Sequence, residues 1–131
     1  MKTAFLGKTV SGPFTIPSGI VSTAPSIIQR IIDELPEVGV ITTKSVGPVP
    51  RTGNREPVYS QYAPGCFVNA VGLTNPGAEE ALKGFESLSI PEDRFLLVSR
   101  FVRLGSPRGP HPIRTPLIPT DACYILCVEY L

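Results

Sequence analysis

Lys44 closes a β-branched run, Thr42-Thr43-Lys44-Ser45, so that a cation and a hydroxyl follow directly on a strand. In βα proteins the residues just past the carboxyl ends of strands line ligand sites. An ammonium held there stabilises negative charge that develops on a bound ring or acid. A second group is Asn69-Ala70-Val71-Gly72-Leu73-Thr74-Asn75-Pro76-Gly77, with two amides and two glycines in nine positions. Asparagine offers donor and acceptor together, and backbone amides flanking a glycine make a pocket for a carboxylate. A third is Ser18-Gly19, where a glycine lets backbone approach a flat ligand closely. Taken singly, each has a plainer reading: a solvated strand terminus, a turn that starts a helix, an ordinary loop.

Other chemistries find less support. Cys66 has no histidine near it in sequence and no helix N-terminus to activate its thiolate, so it reads as a small packing residue. Cys123 and Cys127 lack a second pair of metal ligands, and His111 is the only histidine, so no metal site is expected. Neither GxGxxG nor a P-loop occurs, which leaves a dinucleotide fold or an ATPase without support.

The elements that must position these residues alternate. Phe14 to Pro17 is a short extended run closed by Ser18-Gly19. Ala24 to Leu35 places Ile27, Ile28, Ile31, Ile32 and Leu35 at helical spacing, with Thr23 as N-cap and Pro36 as the stop. Val38 to Thr43 is an apolar, β-branched strand of the kind covered on both faces of a parallel sheet. A loop of this length is functional or disordered. The excursion from Ser45 to Asn75 keeps Tyr59, Tyr62, Phe67, Val68, Val71 and Leu73 as anchors, and reads as functional. Pro76 to Leu88 is a second helix, and Phe95 to Ser99 a third buried strand. Strand, helix, strand, helix, strand is the pattern of a parallel α/β protein. Ile27, Ile31, Val40, Leu82, Phe85 and Leu97 are its expected core.

After Ser99 the character changes. Arg100 to Pro119 crowds five prolines between Pro107 and Pro119, and its basic residues are all arginine. Proline blocks helix interiors, yet the next parallel strand requires a crossover. Residues 1–99 therefore read as one domain and residues 100–131 as a divergent, irregular Pro/Arg-rich tail, the expected product of a reading-frame change or truncation. Ala122 to Val128 has strand composition.

With 131 residues, net charge +1, 42% hydrophobic and 18% charged residues, the chain has room for one modest globular domain. Its charge balance points to neither nucleic acid nor membrane as partner. The apolar start ends at Lys8, short of the roughly 7–15 residues of a signal-peptide core. No stretch reaches the ~18 apolar residues of a membrane span. Three cysteines without framework spacing suit a cytoplasmic location.

Together the segments resemble one family. Ile41 to Asn54 (ITTKSVGPVPRTGN), Glu56 to Tyr59 (EPVY) and Ala63 to Gly77 (APGCFVNAVGLTNPG), with Pro17-Ser18-Gly19 before and Phe95 to Ser99 after, resemble class 1 dihydroorotate dehydrogenases over about residues 14–99. The flavin domain of dihydropyrimidine dehydrogenases is the nearest related alternative. The resemblance implies the N-terminal βα units of a (β/α)8 TIM barrel, truncated here. It also implies FMN as cofactor, oxidation of dihydroorotate to orotate in pyrimidine biosynthesis, and a homodimer at full length. Carried over by position, Ser18, Gly19, Lys44 and Ser45 would contact the flavin. Lys44 would also face the substrate, Asn69 would bond its pyrimidine, and the backbone of Val71, Gly72 and Leu73 would receive its carboxylate. The family's general base, in an Asn-x-Ser-Cys-Pro-like loop, has no counterpart in these residues, so no catalytic residue is assigned. Two function classes follow: an FMN oxidoreductase by kinship, or a non-catalytic remnant.

Overall fold

The computed structural model describes residues 2–20, 24–103 and 123–130. Its order is β1 (Thr3–Phe5), β2 (Lys8–Val10), β3 (Phe14–Ile16), α1 (Pro25–Glu34), β4 (Val38–Thr42), β5 (Tyr59–Ala63), β6 (Cys66–Asn69), α2 (Ala78–Glu86), β7 (Phe95–Arg103) and β8 (Cys123–Tyr130). The central sheet has the order β3-β4-β7-β8, and all three pairings are parallel. This is a mixed α/β architecture on a parallel sheet, as the alternation of patterns implies.

Both helices cover one face of the sheet and make the main core there. Ile28, Ile31 and Ile32 of α1 and Ala81 and Phe85 of α2 pack on Ile41 of β4 and Leu96 and Val98 of β7. Burying each large aliphatic side chain contributes about 1.5–3 kcal/mol. The opposite face of the sheet carries a smaller cluster of Val10, Val40 and Phe95, with Phe5 meeting Phe95 edge-on at 5.4 Å. The β1–β2 hairpin brings Phe5 and Val10 there, an element that the sequence pattern does not announce. Three-residue strands are too short for alternation to show.

Ile27 and Leu35 are exposed, because the apolar stripe of α1 is wider than the surface it covers. Ala24, without a side-chain bond, caps α1, while Thr23 lies outside the described residues. Leu82 and Leu97 are only half-buried. The third strand does not stop at Ser99 but runs to Arg103. The strand composition near the end of the chain is realised as β8, parallel to β7. The proline-rich connection at 104–122 lies outside the described residues. Tyr59, Tyr62, Phe67 and Val68 do not act as buried anchors. They form the β5–β6 hairpin and remain exposed, with Tyr59 and Phe67 stacked on each other at 5.3 Å. Cys66 is likewise exposed rather than packed.

A buried arginine fastens α1 to β4. The Arg94 side chain is 7% exposed, and its Nη1 donates to the carbonyls of Leu35 and Val38, which bracket the turn between the two elements. Hydrogen bonds from charged donors are worth about 1.5–3 kcal/mol each. Arg94→Ala is therefore expected to destabilise the fold by roughly 3 kcal/mol, read from the urea midpoint. A midpoint equal to that of the parent would show that the turn does not depend on this clamp.

Candidate functional site

The path of the chain after β4 explains how Lys44 is presented. Thr43 donates from its backbone to Leu97 O (2.8 Å), and Val46 donates to Ser99 O (3.1 Å). Both residues thus keep contact with β7, whereas Lys44 and Ser45 between them make no such backbone bond among the described residues. The pair bows out of the sheet with both ends pinned. Thr43 is fully buried, and its Oγ1 accepts the Ser99 N–H at 3.0 Å. The bow is thereby fixed by side chain as well as backbone.

Three hydroxyls line up beside it. Ser45 Oγ lies 2.7 Å from Ser99 Oγ and 3.4 Å from Ser18 Oγ. Residues just past the ends of β3 and β4 therefore converge on a residue within β7, with Ser45 lying 27 and 54 positions from Ser18 and Ser99 in sequence. Ser99 is fully buried and is not among the site residues that the sequence suggests. Its signal was available: one hydroxyl after the four apolar residues Phe95 to Val98. Lys44 is half-buried and forms no hydrogen bond or ion pair among the described residues. It borders a cavity of about 230 Å³ whose other walls include Pro25, Val46, Asn75, Ala81 and Phe85.

Residues 69–77 are braced against residues 51–54. Arg51 and Asn75 exchange backbone bonds at 2.9 and 3.0 Å, and Asn54 N–H donates to Val71 O at 3.0 Å. Asn54 Nδ2 donates to Ala70 O at 2.7 Å. Gly72 has φ +82°, and a Cβ there would meet the Asn54 side chain at 2.7 Å, so only glycine fits this crossing. Leu73 follows with φ +56°, left-handed backbone that a leucine seldom adopts. Val71 and Gly72 are half-buried, Leu73 is 37% exposed, and Asn69 sits exposed at the end of β6, opposite Tyr59. No side-chain hydrogen bond joins Asn69 to Lys44 or Ser45 among the described residues. The structure thus brings Ser18, Ser45 and Ser99 into contact and places Val71, Gly72 and Leu73 in one braced turn.

The residues fit a flavin ring edge on the terms this structure supplies. Lys44 is an uncommitted cation, Ser18 and Ser45 are exposed or half-exposed hydroxyls, and Gly19, at φ +86°, has open space where a side chain would stand. Among the described residues, no group of three or more His, Cys, Asp or Glu is placed to hold a metal ion. No helix among them is long and apolar enough to cross a membrane.

Comparison with known proteins identifies the kinship. The dihydroorotate dehydrogenase family model matches residues 1–93. The catalytic subunit of dihydroorotate dehydrogenase B (NAD(+)) from Methanocaldococcus jannaschii is 35% identical over 88 residues, covering 67% of this chain and 28% of the relative. The subunit of the same name from Pyrococcus furiosus is 31% identical over 117 residues, covering 80% of this chain and 38% of the relative. That from Pyrococcus horikoshii is 33% identical over 85 residues, 65% of this chain and 27% of the relative. The chain spans well under half the length of these relatives. On the match over residues 1–93, the chain belongs to the dihydroorotate dehydrogenase family.

Proposed function

We propose that this chain supplies the first βα units of a (β/α)8 barrel that binds FMN and oxidises dihydroorotate to orotate in pyrimidine biosynthesis. The observation that carries the reading is the convergence of Ser18 and Ser45, just past the ends of β3 and β4, on Ser99 of β7 beside Lys44. FMN, when bound, supplies the acceptor for a hydride from the substrate. Ser18, Gly19, Lys44 and Ser45 would hold the ring edge, with Ser99 fixing the Ser45 hydroxyl. Lys44 sets a cation where negative charge grows during the reaction. Asn69 offers donor and acceptor to the pyrimidine, and the amides of Val71, Gly72 and Leu73 receive the carboxylate. The relatives' names carry NAD(+) and describe a catalytic subunit. The same acceptor, a cytoplasmic location and a homodimer at full length are proposed here.

A graft tests the reading. Residues 1–99 joined to the downstream part of the Methanocaldococcus jannaschii relative are expected to give a yellow protein that oxidises dihydroorotate. A graft that folds with a cooperative thermal transition but holds no flavin would refute the assignment of Ser18, Lys44 and Ser45.

A further inference from the structure

Asn75 takes part in five hydrogen bonds. Its Oδ1 accepts the N–H of Gly47 at 3.0 Å and of Gly77 at 2.9 Å. Its Nδ2 donates to Leu73 O at 2.7 Å. Its backbone exchanges two bonds with Arg51. The residue is 7% exposed. It therefore ties together the segment that follows Lys44, the braced turn at Leu73 and the start of α2.

We propose that Asn75 is a positioning residue of this site, holding Leu73 in its left-handed conformation so that the amides of residues 71–73 face one ligand group. The inference rests on the reading that those amides receive the substrate carboxylate. Left-handed backbone is unfavourable for leucine and persists only where surrounding bonds impose it. Here the bond that imposes it comes from Nδ2. Few side chains accept two N–H groups on one atom and donate to a carbonyl from the next; an amide does so without a charge. Aspartate keeps the acceptor for Gly47 and Gly77, at the helix end that favours negative charge. It loses the donor to Leu73 and sets an oxygen against a carbonyl. Asn75→Asp thus separates positioning from folding, whereas Asn75→Ala removes all three side-chain bonds.

The test follows Leu73 by NMR in the isotopically labelled 131-residue protein and titrates orotate into the labelled, flavin-bearing graft of residues 1–99. In Asn75→Asp the Gly47 and Gly77 amide signals are expected to stay near their places. The coupling constant and carbon shifts of Leu73 are expected to leave left-handed values, and the orotate-dependent shifts at Gly72 and Leu73 should require about tenfold more ligand. Leu73→Gly removes the conformational demand, so adding Asn75→Asp to it should disturb the turn far less. If Asn75→Asp alone does not fold, that pair decides the matter. Left-handed values retained at Leu73 in Asn75→Asp, or unchanged orotate affinity, would overturn the proposal. A graft that holds flavin but shows no orotate-dependent shift would overturn the carboxylate reading instead, with the Leu73 coupling still deciding the role of Asn75.

Discussion

Lys44→Ala in the full-length graft is expected to lower kcat for dihydroorotate oxidation by about 10²–10³-fold, the loss typical of removing one preorganised electrostatic group. The bow between Thr43 and Val46 is held by backbone bonds at both ends, so truncating the side chain leaves the strand path intact and removes the charge alone. No acidic side chain pairs with Lys44 among the described residues, so no buried partner is orphaned and stability should hardly change. Cys66→Ser makes the contrast. Cys66 is exposed, in the β5–β6 hairpin, and surface changes of this kind stay within about 0.5 kcal/mol, so turnover should remain within about twofold. Steady-state rates normalised to bound flavin check both. The opposite order of effects would remove Lys44 from the site.

The 131-residue chain by itself is expected to leave gel filtration colourless and to oxidise dihydroorotate at no measurable rate. Proton removal from the substrate needs a positioned base, worth typically 10²–10⁴-fold, and the family's base-bearing loop has no counterpart in these residues. Barrels bind a cofactor phosphate mainly with loops after their seventh and eighth strands, near a helix N-terminus. This chain aligns with 28% and 38% of the lengths of two relatives that it matches. The contacts it does offer, through Ser18, Lys44 and Ser45, face water that screens them. Flavin retained in a one-to-one ratio after gel filtration would contradict this, and would mean that copies of the chain complete one another.

How far the sequence reached depends on the kind of signal. The helical spacing of Ile28, Ile31 and Ile32 and the apolar run at Val38 to Thr42 repeat often enough to be read directly, and both elements form. The β1–β2 and β5–β6 hairpins were illegible, since each strand has three to five residues and exposed aromatic residues resemble core residues in one dimension. At the site, the residues at the ends of β3 and β4 were visible because they interrupt apolar runs with polar groups. Ser99 reads in sequence as the last residue of an apolar strand, whereas β7 continues past it. Asn75 reads as part of a turn, since two of its side-chain partners, Leu73 and Gly77, are two residues away, and only the folded chain brings it to the third, Gly47, 28 positions back.

The aromatic ring of Phe101 lies where a Cβ on Gly47 would have to stand, 2.6 Å from its Cζ. Positions 47 and 101 are therefore not free to vary independently. An aromatic residue at 101 presupposes bare backbone at 47, and a side chain can appear at 47 only after 101 has become small. Because Phe101 also donates its N–H to Val46, a change of sequence just past Ser99 is felt two residues from Lys44. Any lineage that alters the extension of β7 inherits a restricted order of substitutions at the mouth of the sheet, in which the strand must change first and the loop can follow.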